Sequence, residues 1–196
     1  MTTTSVPIFA DESWRLPSRG TVAMLSLIIG ESAIFTIFVV AYIYYIGRSV
    51  SGPTPKILDI PIFMTVCLLS SSFTIMVAEH AIDHGRMALF TAFWALTMLL
   101  GIIFLGGTAL EWRHLIYIDH LTIRTNLFGT TFYSLVGLHA THVIVGLMML
   151  SIVLVFTLLG RINQSHAERI KVLALYWHFV DAVWVVVFTV VYIVGR

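Results

Sequence analysis

The polar residues of this chain fall into short intervals, and between them lie five long apolar stretches, over about residues 21–46, 60–78, 87–110, 126–159 and 172–194. Each reaches the length of about 20 residues that a helix needs to cross a bilayer. Inside hydrocarbon every backbone polar group must be satisfied within the segment, so each stretch is predicted to be a helix. The fourth is longer than one crossing requires, which leaves it to tilt, to project from the membrane, or to be trimmed at Gly129 or Gly160. The intervals are read as short connections, which predicts that consecutive helices are antiparallel neighbours. Residues 1–20 form a polar tail with Asp11, Glu12, Pro7 and Pro17, and residues 21–196 a single membrane domain. The tail lacks the short apolar core and small-residue cleavage site of a signal peptide. There is no internal repeat and no low-complexity tract. The fold class is all-α: an integral membrane bundle of five transmembrane helices.

Composition sharpens this picture. Hydrophobic residues make up 59% of the 196 positions and charged residues 11%, against about 25% charged in an ordinary soluble domain. A net charge of +1 argues against a nucleic-acid role. Cys67 is the only cysteine, which excludes an intrachain disulfide, a Cys-ligated iron–sulfur cluster, a Cys-x-x-Cys-His haem attachment and a thiolate-bridged dinuclear copper centre within this chain. It lies in an apolar span and is read as a small hydrophobe. Arg15, Arg19, Arg86, Arg161, Arg169 and Lys171 fall on one side of the membrane, and Arg48, Lys56, Arg113, Arg124 and Arg196 on the other. This lean is slight, and it favours a cytoplasmic N-terminus and an outside C-terminus.

Ionisable residues inside the spans carry the candidate chemistry. A charge at the centre of a membrane helix costs roughly 2.5–3.5 kcal/mol on insertion scales, so it calls for a partner. Glu31 lies about ten residues into the first span, near the midplane at 1.5 Å per residue. It is read either as a proton-exchanging carboxyl or as one that hydrogen-bonds a neighbouring helix. Ser26 and Gly30, four apart beside it, suit close helix approach. His139 and His142 share a face of the fourth helix, and His178 and Asp181 repeat the three-residue spacing in the fifth. Two helices could supply three His and one Asp to a metal, which needs three or four converging ligands. The commoner use of such groups is hydrogen bonding across a packing interface, and that is the expectation here. With only three His well inside the spans, the chain is a poor candidate for the subunit that carries two haems and a copper.

At the end of the second span, Glu79, His80, Asp83 and His84 form a cluster with four-residue spacings. It could clamp a metal on a continuing helix. It could also be a solvated helix end whose titratable groups collect protons near neutral pH. The segment from Glu111 and Trp112 to Arg124 is read as an interfacial anchor or a docking surface, with Trp112 and Tyr117 at headgroup depth.

These residues are where the chain resembles a known family. Tyr176-Trp177-His178-Phe179-Val180-Asp181 with Val183-Trp184 resembles the last helix of subunit III of the haem–copper terminal oxidases, most closely cytochrome c oxidase subunit III. Phe132-Tyr133, Gly137-Leu138-His139, His142-Val143 and Gly146 fit the same family. So do Gly30-Glu31-Ser32 with Phe35, Leu68-Leu69-Ser70-Ser71-Ser72, and Phe104-Leu105-Gly106 with Glu111-Trp112. The blocks occur in the family's order, and the chain is similar to its short five-helix form; Thr108 stands where a Gln is common. The resemblance implies a non-redox accessory subunit of a proton-pumping oxidase in the bacterial cytoplasmic membrane. Such a subunit packs against subunit I, with subunit II and other respiratory subunits as further partners. It holds phospholipid and supports proton uptake. Haem and copper belong to the partner subunits, and none is assigned to this chain. Glu31 matches the family's carbodiimide-reactive carboxyl.

Two other functions compete with this reading. One keeps the family and changes the donor, as in quinol oxidases or proteins associated with nitric oxide reductase. The other is a small proton or solute transporter using Glu31 and Asp181. Transporters often show repeated halves and helix-breaking Gly/Pro near the midplane, whereas no Pro interrupts any of these spans and five helices do not halve.

Overall fold

The computed structural model describes residues 18–48 and 52–195. Most of the tail, with Arg15, lies outside the described residues, as does Arg196. Among the described residues five helices are long and apolar enough to cross a membrane. They are α1 (Arg19–Tyr45), α2 (Ile62–Asp83), α3 (Met87–Tyr117), α4 (Leu127–Leu158) and α5 (Ala167–Phe188), the last continuing as a π-helical segment, Thr189–Val194. Two 3₁₀ turns, Pro55–Ile57 and Gln164–His166, lie in the connections.

The apolar stretches mark the helices but understate two of them. Helix α2 continues past residue 78 to Asp83, and α3 continues past residue 110 to Tyr117. Hydropathy stops at the edge of the hydrocarbon, but backbone hydrogen bonding continues into the headgroup layer. Glu79, His80 and Asp83 are therefore helical. So are Glu111 and Trp112, which were expected in a loop. Helix α4 runs unbroken through Gly129 and ends just before Gly160, whose φ is +67°. Its 32 residues span about 48 Å at 1.5 Å each, well beyond the roughly 30 Å hydrocarbon core.

Helices α2, α3, α4 and α5 form a four-membered ring: α3 packs on α2 and α4, and α5 closes the ring by packing on α4 and α2. Helix α1 lies along α4 and α5 instead of along α2, its neighbour in sequence. This corrects the expectation of short connections throughout. The segment 46–61 is long enough to carry the chain over the start of α4, where the Asn126 side chain donates to the Pro53 carbonyl at 2.9 Å and accepts from the Gly129 N–H at 2.8 Å. The bond to Gly129 caps α4.

The core is centred on Trp177 of α5, which is fully buried. A Cβ added to Gly101 of α3 or to Gly146 of α4 would lie 2.8 Å from its indole. Both glycines are therefore required by close approach of the ring. On the third side the indole N–H donates to Ser71 Oγ of α2 at 2.9 Å. One side chain thus touches all three other members of the ring. Trp94 donates to the Leu150 carbonyl at 3.0 Å, and Trp184 to Thr65 Oγ1 at 3.2 Å. In lipid, helix association rests on such van der Waals contact and interhelical hydrogen bonds, because the tails are as apolar as the side chains.

Candidate functional site

Five ionisable residues of the spanning helices, Glu31, Glu79, His142, His178 and Asp181, fall into two polar assemblies. The first lies in the seam between α2 and α5. Ser72 Oγ donates to Asp181 Oδ2. With its proton so committed, the hydroxyl accepts from His178 Nδ1 at 3.2 Å. The imidazole proton therefore sits on Nδ1, and Nε2 faces Glu79 Oε2 at 3.8 Å. Asp181 is 3% exposed and its Oδ1 has no partner among the described residues. His178, Ser72 and Asp181 are thus linked by hydrogen bonds, and Glu79 stands next to them at ion-pair distance.

The second assembly fastens α1. Glu31 Oε2 lies 3.1 Å from His142 Nε2. The other ring nitrogen, Nδ1, donates to the Leu138 carbonyl at 2.8 Å. The contact with Glu31 therefore needs one proton between the two groups, on the carboxyl or on Nε2, and the pair is net neutral in either form. Phe35 tilts against His142 with ring centroids 4.9 Å apart and covers the pair from α1.

His139 belongs to neither assembly. It is 1% exposed, and neither ring nitrogen has a hydrogen-bond partner among the described residues. It packs instead as a ring, 5.0 Å from Trp184, 5.8 Å from Phe104 and 6.5 Å from Phe35. The expected polar contact for His139 is thus replaced by aromatic packing. Three apart on α4, His139 and His142 differ in what faces them, which their spacing does not encode.

The cluster at the end of α2 also separates. Glu79 turns inward to His178. His80 and His84 lie outside with ring centroids 4.2 Å apart and planes tilted by 42°, and His84 Nδ1 donates to the His80 carbonyl at 2.8 Å. Asp83 pairs with Lys171 at 2.7 Å, and Gln164 donates to its carbonyl. These contacts join the α2–α3 turn to the start of α5. Among the described residues no three His, Cys, Asp or Glu side chains converge as a metal-ligand set.

At the opposite end Tyr192 donates to Glu111 Oε1 at 2.9 Å. This bond ties α3 to the π-helical segment, a link that sequence reasoning missed. Ser72 was missed as a bridge for a physical reason. Hydroxyls in membrane helices commonly bond their own helix, as Ser32 does to the Ile28 carbonyl and Ser151 to that of Leu147. Only the run of three serines at positions 70–72 hinted at more. Ser26 and Gly30 do not mediate packing within the chain: both are exposed, and nothing lies within 4 Å of a Cβ built on Gly30.

Residues 22–196 match the family described as Cytochrome c oxidase subunit III. The chain belongs to that family. The chain is 36% identical over 169 residues to a cytochrome c oxidase subunit 3 of Alkalihalophilus pseudofirmus, covering 85% of this chain and 82% of the relative. It is 31% identical over 193 residues to one from Thermostichus vulcanus, covering 96% and 94%. A probable quinol oxidase subunit 3 of Staphylococcus saprophyticus is 29% identical over 144 residues, covering 72% and 71%. The five-helix form of the family, an all-α multi-pass membrane subunit of a haem–copper oxidase, therefore describes this chain. Its partners include the other subunits of that complex.

Proposed function

We propose that this chain is the non-redox accessory subunit III of a proton-pumping oxidase that takes electrons from cytochrome c, in a bacterial cytoplasmic membrane. It packs against subunit I, keeps that subunit intact during turnover, holds phospholipid and supports proton uptake. The observation that carries the reading is the family match over residues 22–196. The geometry is in keeping with it. His142 and His178 are engaged with Glu31 and Ser72, and His139 is enclosed by Phe35, Phe104 and Trp184. These are scaffold contacts, with α1 and α2 held to their neighbours. A groove of about 280 Å³ between α1 and α5, lined by Ser32, Phe35, Thr36, Phe179, Val183 and Val187, has the apolar lining an acyl chain requires.

On this reading the N-terminus is inside and the C-terminus outside. This puts Glu79, His80, Asp83 and His84 on the side from which protons are taken up. His80, Asp83 and His84 are exposed there, as proton collection demands.

The test is purification of the tagged chain from mild detergent. The expected result is a fixed ratio to subunits I and II, a haem spectrum, and oxidation of reduced cytochrome c. A chain that purifies without a haem–copper subunit overturns the proposal. The Staphylococcus saprophyticus relative supports a second reading in which the donor is quinol. A subunit II without a dinuclear copper site, together with quinol-driven turnover, would favour it.

A further inference from the structure

Charges inside a membrane bundle that serve packing alone are normally satisfied in pairs, as Glu31 and His142 are. The α2–α5 seam is arranged differently. Its three titratable groups lie in a line and are joined by a hydroxyl. One end is partly exposed and the other end is buried. Glu79 is near the end of α2, with its side chain 20% exposed, and His178 is 31% exposed. Asp181 is 3% exposed and lies 14 residues from the start of α5, about 21 Å along the axis at 1.5 Å per residue.

Among the described residues no other charged group hydrogen-bonds or ion-pairs with this file. Lys171 of α5 is held by Asp83. Glu31 of α1 and His142 of α4 satisfy each other, and His139 of α4 is ringed by aromatics. Helix α3 carries no ionisable residue between Met87 and Glu111. The buried end also keeps a spare acceptor, Asp181 Oδ1.

We infer that Glu79, His178, Ser72 and Asp181 form a dead-end proton file, which stores one proton on Asp181 and returns it by the same route. The transfer balances atom by atom. Glu79 takes a proton from hydronium in the solvent, and a small rotation of its partly exposed side chain closes the 3.8 Å gap to His178 Nε2. As Nε2 gains that proton, Nδ1 releases its own to Ser72 Oγ. The serine hydroxyl in turn passes its original proton to Asp181 Oδ2. Before the transfer His178 is neutral with its proton on Nδ1 and Asp181 is a carboxylate. Afterwards His178 is neutral with its proton on Nε2 and Asp181 is a carboxylic acid. Ser72 ends with a hydroxyl, as it began. The reverse sequence empties the store. Because the path stops at Asp181, it buffers protons and does not conduct them across the membrane. The inference builds on the proposed function only in naming which side supplies the proton.

The test uses the intact oxidase complex carrying this chain and follows carboxyl groups by infrared difference spectroscopy. Lowering the pH is expected to produce a carboxylic-acid carbonyl band that is absent in Asp181→Asn. After a jump into D₂O that band shifts. In Ser72→Ala the shift is expected to slow by about a hundredfold, the size of effect a positioned proton-transfer group provides, and Ser72→Thr is expected to restore it. If Ser72→Ala fails to assemble, Glu79→Gln provides the same reading, because it removes the entry proton and keeps the shape. A band unaffected by Asp181→Asn, or a wild-type exchange rate in the assembled Ser72→Ala or Glu79→Gln complex, overturns the inference. Failure of the wild-type chain to co-purify with the oxidase would instead count against the proposed function, so the two failures are distinguishable.

Discussion

Helices α5 and α1 are both long and apolar, yet one is the centre of the bundle and the other is attached to its flank. Within the most apolar window of each, 44% of the residues in the α5 region are buried by the rest of the chain, against 6% in α1. Helix α5 brings Trp177 against two glycines and a serine on three other helices, and Trp184 against Thr65, Phe104 and His139. Helix α1 relies on Glu31, Phe35 and Tyr42, the last two being its buried residues. Hydropathy makes both helices insert, whereas shape and hydrogen bonds decide which of them holds the others. A costly intramembrane carboxyl therefore has a different role in each. In α1 it is a fastener paired with one histidine. In α5 it is the buried end of a file of three titratable groups and a hydroxyl.

The largest expected effect follows from emptying the centre. Trp177→Ala is expected to destabilise the bundle by about 3–5 kcal/mol, as for large aromatic truncations in packed cores. Gly146→Val, which forces a side chain into the indole, is expected to cost about 1–3 kcal/mol. Thermal unfolding of the purified complex, with the content of this subunit read alongside, checks both. Tolerance of both changes, with stability and subunit content as in the wild type, would remove α5 from its central position.

Glu31→Ala is expected to be milder, about 0.6–1.7 kcal/mol, the range found for hydrogen bonds between membrane helices. It should loosen α1 and not the ring. Glu31→Gln is expected to be milder still, because an amide N–H can donate to His142 Nε2. It should retain the subunit and leave proton pumping near normal. Normal assembly with a large loss of pumping in Glu31→Gln would make Glu31 a proton carrier instead of a fastener.

Smaller again is Lys171→Ala. Its pair with Asp83 is at the surface, with the two side chains 47% and 37% exposed, and such pairs contribute about 0–1 kcal/mol. The same unfolding assay in raised salt should narrow the difference further. The smallest effect is expected from replacing His80 and His84 together, which should slow proton uptake modestly and leave stability unchanged. An unaltered pH–rate profile would remove them from proton collection.

Much of the fold was legible in the sequence, because a 20-residue apolar run has few alternatives in a membrane. The helix ends at Asp83 and Tyr117 were not, since polar residues at the interface stay helical without any hydropathic signal. The place of α1 was not legible either, because residues 46–61 look like an ordinary connection until Asn126 is seen holding Pro53. At the candidate site the titratable residues stood out by their rarity, but their partners did not. Glu31 and His142 are 111 positions apart, and Ser72 and Asp181 109. Pairing at such distance is decided by how the helices are rotated in the bundle, which local spacing does not encode. The bridge itself is a serine, the least conspicuous polar residue in a membrane helix.

Cys67 offers the most direct measurement of the difference between the ring and its flank. It is the only thiol, it is 7% exposed, and it belongs to α2, a ring helix. Its alkylation by a membrane-permeant maleimide in the intact complex should be slow in the wild type and in Glu31→Ala, and fast in Trp177→Ala. If Glu31→Ala exposes Cys67 as readily as Trp177→Ala does, then α1 is part of what closes the bundle, and the division between a locked ring and a fastened helix is wrong.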